Sequence, residues 1–388
     1  MITSVNALRE RMLRDLTENI LPFWMNTAID SENGGWYGEI LRDGTVMKNA
    51  KKGLILHARI LWSFSAAYRV LKRQEYLEAA ERAFAYLTEK FLDPDGGAYY
   101  MLNADSSVAE RQKFTYAQGF VLYAFSEYAR ATGKGIAYAD KMFSYIERKC
   151  RFEDRYYEFA KGSPELDSEF GKMLTMNNHL HIIEPITNYF RIRRTPEVEA
   201  SLRNLLKIFS EHIINADAPH FDLYFDHNWK SFAQINSYGH DIEGSWLLYE
   251  TAEVLGDEEL LIKTKDITLA MAGAVMTEGL APDTGAVFDG GDRNGNITEP
   301  KRVWWAQAEG IVGFFNAYQI SGDEAYLHAA FRCWDYIEEQ IINPAGEWFG
   351  TGSDSEPDEN TPYLVNAWKC PYHNTRAALE IAERVGGV

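Results

Sequence analysis

The stretch "MNNHLHIIEP", residues 176–185, sets His179 and His181 two residues apart, with Glu184 three further on, inside an apolar run. Such residues admit a metal cage, a packed core with two imidazoles, or a base that moves protons. On a helix, positions i and i+2 point about 200° apart, so the two rings cannot serve one ligand. "IIEPITNYF" continues with helical periodicity, and no cysteine or carboxylate stands at a supporting spacing, so no metal is expected. His179 is read as a buried histidine with a satisfied hydrogen bond. His181 differs, because His240 and His373 are read as its equivalents in two other parts of the chain, accompanied by Arg59 and Glu243. Imidazole is the side chain that accepts and returns protons near neutral pH, so this group points to proton transfer or ligand binding. Glu243, three residues after His240 on the same helical face, is expected to accept a proton from that ring and fix its tautomer. Arg59 is a permanent donor suited to an enolate or enediolate oxygen, with a structural ion pair as the alternative.

Positioning these residues requires regular elements, and the chain repeats. Gly/aromatic stretches recur about every 60 residues, six times, among them "NGGWYGEI", "DGGAYYML", "HFDLYFD" and "AGEWFGT". Two helical patterns lie between successive stretches. One set is charged on its far face, as in "PEVEASLRNLLKIFSEHII"; the other is apolar nearly all round, as in "FTYAQGFVLYAFSEYA". Six outer and six inner helices in alternation predict an all-α fold, an (α/α)6 barrel with short β-hairpins at one end, over a single catalytic domain, residues 1–388. An open helical solenoid is the alternative, disfavoured because neither end of the chain looks like a polar cap.

The inner patterns carry unusual polar and aromatic residues in or just before their first turns: His57 and Arg59; Tyr116 and Gln118; Asn177, His179 and His181; His240 and Glu243; Trp304, Trp305, Gln307 and Glu309; Trp368, His373 and Arg376. With parallel inner helices these starts meet at one mouth, where helix N-termini favour a developing oxyanion. Tyr116, Trp304, Trp305 and Trp368 offer flat faces for sugar rings, and Asn177 and Gln118 can bond hydroxyls, so a carbohydrate fits.

Bulk properties narrow the partners. A formal net charge of -18 argues against nucleic acid and anionic membrane. Three widely spaced cysteines offer no disulfide framework or CxxC site, the first residues show no export signal, and no apolar run approaches the roughly 20 residues that span a bilayer. A cytoplasmic monomer is the expectation.

The segments "KGLILHARILWSFS", "TYAQGFVLYAFSEYA", "MNNHLHIIEP", "SYGHDIEGSWLL", "RVWWAQAEG" and "WKCPYHNTR" resemble the N-acyl-glucosamine 2-epimerase family, from about residue 30 onward. The likeness is strongest to members acting on β-1,4-linked disaccharides. It implies an (α/α)6 barrel that epimerises carbon 2 of the reducing-end glucose, cellobiose to glucosyl-mannose or lactose to epilactose, without cofactor or metal. His240 and His373 would be the two acid/base groups, His181 would assist, and Arg59 would hold a cis-enediolate. Tyr116, Asn177, Glu243, Glu309, Trp368 and one of Trp304 and Trp305 would bind substrate or orient the bases. Elementary chemistry agrees: inverting a carbon beside an aldehyde needs its proton removed on one face and returned on the other. Pro185 departs from helical expectation, but its distance from His181 is taken to leave that assignment intact. Competing readings are a mannose isomerase, a 2-epimerase of N-acylated monosaccharides, a glycoside hydrolase using Asp241, Glu243 or Glu309, and a noncatalytic sugar-binding protein.

Overall fold

The structure is a computed structural model that describes residues 4–232 and 234–386. The chain opens with α1 (Val5–Asp15) and α2 (Leu21–Asn26), joined by a π-helical turn at Leu16–Ile20. It continues as α3 (Leu54–Leu71), α4 (Gln74–Tyr86), α5 (Thr115–Thr132), α6 (Ile136–Tyr145), α7 (Met176–Phe190) and α8 (Pro196–Ile208). The remaining helices are α9 (Tyr238–Leu255), α10 (Glu258–Ala274), α11 (Trp304–Ser321), α12 (Glu324–Tyr336) and α13 (Tyr372–Arg384). Each odd-numbered helix from α3 to α13 packs on the next, and α13 packs on α3, so the inner ring closes. The even-numbered helices from α4 form the outer ring, and α1 completes it against α13. The expected barrel is present, and the solenoid alternative falls with the α13–α3 contact.

Patterning explains the two layers. α5 is buried from Thr115 to Ala129, because helices lie on both its flanks and outside it. α8 buries Val198, Leu202 and Leu205 and turns Glu197, Glu199 and Arg203 outward. Full burial of each such aliphatic side chain is worth about 1.5–3 kcal/mol, so the outer ring is held mainly by its apolar stripe. Turns from inner to outer helices are short. Gly133, Gly256 and Gly322 end α5, α9 and α11 in the left-handed conformation, and Asp257 and Asp323 cap the helices that follow two of them.

The opposite end carries the long connections. The residue leading into each inner helix pairs antiparallel with the next connection: Gly53 with Met101, Phe114 with Phe159, Thr175 with Tyr224, Ser237 with Gly290 and Val303 with Thr351. The last connection returns to the first through Val365 and Ile40. A circle of short pairings therefore rims the mouth and holds the six inner N-termini around one axis. No helix among the described residues is long and apolar enough to cross a membrane. All three cysteines are free and buried.

Candidate active site

Counting residues along each inner helix sorts the polar side chains by direction. From the first residue of α3, α5, α7, α9 and α11, and from Pro371 before α13, the fourth positions are His57, Gln118, His179, Asp241, Gln307 and Asn374. These point outward and clip the Gly/aromatic stretches. The backbone N–H of Trp36 donates to His57 Nε2 at 3.2 Å, that of Ala98 to Gln118 Oε1 at 2.8 Å, and that of Tyr156 to His179 Nε2 at 3.2 Å. Asp241 accepts from Phe221 at 2.9 Å and Gln307 from Val287 at 2.7 Å. In the sixth unit Asn374 holds Glu347, which accepts from Trp348. His179 has its expected satisfied bond. Gln118 is not a sugar ligand, because its amide donates back to Ala98 and both its ends are spent on that one residue.

Second, third and sixth positions fall within about 100° of one another on a regular helix, with the sixth about 160° from the fourth. They face the axis. His240 and His373 are third positions, whereas His181 is a sixth position, one turn deeper. The three histidines therefore meet without being equivalent, contrary to the sequence reading. The other sixth positions are Arg59, Phe120, Glu243, Glu309 and Arg376.

Pro185 also acts closer to the site than expected. It lacks the N–H that would bond the carbonyl four residues back, and its ring crowds that carbonyl. The residue four back is His181, the one residue of α7 with non-helical backbone, φ -88° and ψ 15°. Its displaced carbonyl lies where a Cβ on Gly119 would meet it at 2.5 Å, so α5 needs glycine there.

Each histidine is tied through Nδ1. His373 pairs with Glu309 at 2.7 Å, His181 with Glu184 at 3.1 Å, and His240 with the Ser237 hydroxyl at 2.7 Å. Each Nε2 is left without a hydrogen-bond partner among the described residues, and all three rings line an inner cavity of about 180 Å³. Ser237, not Glu243, is thus the partner of His240. Glu309 is fully buried and does not line the cavity; it backs His373 and also accepts from Trp246 and Arg376, so it touches the base and not the ligand space.

Trp305 lies between the two third-position histidines, its ring 4.7 Å from that of His240 and 5.8 Å from that of His373. Trp304 also borders the cavity, but it is 3 % exposed and packs under Lys369. Trp305 is therefore the tryptophan set against both imidazoles. Trp368 is 43 % exposed at the cavity rim, beside Tyr116 at 5.6 Å between rings. Arg59 is buried and donates to Tyr116 Oη at 2.8 Å and to the Trp368 carbonyl at 3.3 Å. No carboxylate pairs with it among the described residues, so the ion-pair alternative fails and its charge is left for the cavity. Asn177 adds to the wall, and Glu359 and Asn360 of the last connection complete it.

Beneath the cavity one guanidinium serves three carboxylates. Arg376 donates to Glu184, to Glu243 at 2.5 Å and to Glu309 at 2.6 Å, and Tyr372 also donates to Glu184. Burial raises all three acids, and one cation cannot offset three anions. Arg376 and His373 together outweigh burial at Glu309 and hold it below the usual carboxylate range. Burial and the charge on Glu309 leave Glu243 raised, and burial leaves Glu184 raised. Glu243 Oε2 has no hydrogen-bond partner and faces the cavity, 3.9 Å from His181 Nε2. Burial drives His373 down to about 3 despite Glu309; His240 and His181 are lowered by burial as well. Glu243, Glu309 and His373 converge closely enough to suggest a cation site, but Arg376 bridges both carboxylates and already supplies the positive charge.

Of the three acids a hydrolase would use, Asp241 is spent on Phe221 and His220, Glu309 backs His373, and Glu243 alone reaches the space; the other carboxylate at the lining is Glu359 of the last connection. The inner cavity continues into an outer cleft of about 610 Å³, with Asn177, His240 and Trp305 lining both. A larger groove of about 930 Å³ on the outer wall, between residues 92–97 and α6, contains none of these groups. Glu184, Ser237 and Tyr372 were missed by the sequence reading; Glu184, three residues after His181 within "HIIEP", carried the one visible signal.

Residues 18–377 match the family described as N-acylglucosamine 2-epimerase (GlcNAc 2-epimerase). A cellobiose 2-epimerase of Bacteroides fragilis is 39 % identical over 391 residues, which cover 96 % of this chain and 98 % of that protein. The solved structure of a cellobiose 2-epimerase from Bacillus thermoamylovorans superposes with a TM-score of 0.90 at 34 % identity, covering 98 % of this chain and all of that one. A D-mannose isomerase shares the fold at a TM-score of 0.81 and 18 % identity, over 98 % of this chain and 97 % of its own. The chain belongs to the N-acylglucosamine 2-epimerase family.

Proposed function

We propose that this chain epimerises carbon 2 of the reducing-end glucose of β-1,4-linked disaccharides, cellobiose first among them, by proton transfer between two histidines. The observation that carries this is the pair His240 and His373, set on either side of Trp305 with Nδ1 occupied and Nε2 open to one cavity. The nearly full-length likeness to cellobiose 2-epimerases supports the choice of substrate.

The reaction begins with ring opening: one imidazole takes the proton of the anomeric hydroxyl, and the raised acid Glu243 gives one to the ring oxygen. The other imidazole removes the carbon 2 proton, now acidified by the aldehyde. The resulting cis-enediolate carries its charge beside Arg59, the cation with no carboxylate of its own, at the N-terminal end of the inner helices. The first imidazole, now imidazolium, returns its proton to the opposite face of carbon 2. On closure the second imidazole, now carrying the carbon 2 proton, gives it to the aldehyde oxygen, which becomes the anomeric hydroxyl. The attacking hydroxyl returns its proton to Glu243, so both imidazoles and Glu243 are reset. Protons balance, and neither metal nor redox cofactor enters.

His181, tied to Glu184, accepts a sugar hydroxyl, and Glu243 beside it donates. Tyr116, Asn177 and Trp305 shape the wall, Trp368 forms the rim platform, and Glu309 orients His373 and stabilises its imidazolium. The lining comes from the inner helices and, through Glu359, Asn360 and Trp368, from the last connection of the same chain, which supports one catalytic domain working as a monomer. Incubation with cellobiose and chromatography against glucosyl-mannose tests the assignment. A product ending in mannose supports it, whereas free glucose, or conversion only of mannose to fructose, contradicts it.

A further inference from the structure

Glu158, on the third connection, is 7 % exposed and takes no part in the chemistry above. Its Oε1 accepts from Thr175 Oγ1 at 2.6 Å, and Thr175 caps α7, the helix of Asn177 and His181. Its Oε2 has no partner among the described residues, and the side chain lines the outer cleft. Burial pushes this acid up to about 7, with the Thr175 hydroxyl partly offsetting it. The idle oxygen is not sealed off but opens to the cleft, where a ligand hydroxyl can reach it.

The rest of the cleft describes what that is. Phe170, Tyr224 and Ile235 line it and are 45 %, 38 % and 48 % exposed, an apolar ledge of the kind that seats a sugar face. Asp289, Glu299, Asp358 and Glu359 also line it, and Lys301 beside them is paired with Glu299. Hydroxyl groups that donate are welcome there, and a negative charge is repelled. Because the cleft opens directly from the inner cavity past Asn177 and Trp305, a disaccharide with its reducing end inside extends its second ring toward it.

We propose that Glu158 receives a hydroxyl of the outer, non-reducing sugar and makes the cleft select neutral over anionic outer sugars. This rests on the epimerase reading. The test measures kcat and KM at low ionic strength for cellobiose and for its analogue with glucuronate as the outer sugar, in wild type, Glu158→Gln and Glu158→Ala. Glu158→Gln retains the carbonyl that Thr175 needs and exchanges the idle acceptor for a donor, which guards against mere unfolding. Melting curves accompany both variants.

Wild type is expected to favour cellobiose strongly. At about pH 8, where the Glu158 carboxyl is mostly ionised, both variants raise KM for cellobiose about tenfold with kcat changed less than about twofold, the effect of one lost hydrogen bond to a charged group. Both narrow the preference over the glucuronate analogue by about fivefold or more. An unchanged KM, or equal losses on both sugars, overturns the assignment; a KM that responds to Trp368→Ala and not to Glu158 places the outer sugar on the rim tryptophan instead. If wild type leaves cellobiose unaltered, the epimerase reading fails and Glu158 loses this role with it. If wild type makes the mannose product and the variants keep its KM, only the Glu158 proposal fails.

Discussion

His179 and His181 share a helix, a burial depth and nearly a sequence position, yet they belong to different machines. His179 reaches outward and holds the backbone of Tyr156; His181 reaches inward, tied to Glu184. The same division runs round the ring, with fourth positions clipping loops and third and sixth positions facing the axis. Two residues along a helix turn a side chain to the opposite side, so one barrel turn holds both the fastening of the mouth and its chemistry.

The comparison breaks most sharply at the third positions. His240→Ala or His373→Ala should lower kcat on cellobiose by about a thousandfold, within the range of a lost general acid/base, while the melting temperature barely moves. Glu309→Gln keeps the shape but removes the charge behind His373, and kcat should fall about 10- to 100-fold, as for other orienting partners of a catalytic imidazole. Pro185→Ala restores a helical hydrogen bond to the His181 carbonyl and moves that ring, which should reduce kcat severalfold; melting temperature should hold or rise. His179→Ala is the counterpart from the other face. It strands the Tyr156 N–H and should lower stability by about 1–3 kcal/mol in urea titration, with kcat changed less than twofold. A large kcat loss in His179→Ala with normal stability would erase the division.

Acidity sharpens the same contrast. His57 and His179 are pushed to about 4, and His373 to about 3, by burial in each case first. Folding depresses these imidazoles below their unfolded value of about 6.5, so between the two values the unfolded chain binds protons that the folded chain does not. Stability is whole above pH 6.5 and declines as the pH falls toward 4. With the bases already neutral, kcat at saturating cellobiose should show no acid break near 6.5; a break there would mean that the catalytic rings are solvated like free histidine.

The barrel was legible because it repeats: the Gly/aromatic stretches and the two kinds of helical pattern recur six times, and each inner helix opens on polar residues. The gathering of those openings at one mouth followed from topology alone. Direction within the opening turns was not legible. Grouping His181 with His240 and His373 overlooked a three-residue offset, which the second, third, fourth and sixth positions resolve only once each helix start is known. The partners were harder still. Glu243 stands at i+3 from His240 and looked like its orienting acid, but Arg376, from another helix 133 residues away, holds it, while Ser237 bonds His240 from the preceding strand. Glu309 reads as one more polar group at the mouth, and only the position of His373 on α13 makes it a buried backing acid. Local periodicity finds faces; contacts between helices distant in sequence decide which group a face meets.

The measurement that bears most directly on the two-base account is proton NMR of cellobiose in D2O with chelator present, for wild type, His240→Ala and His373→Ala. The account predicts deuterium at carbon 2 together with a glucosyl-mannose product in wild type, and loss of epimerisation in both variants. Product formed without solvent deuterium at carbon 2, or full activity in either variant, would contradict it.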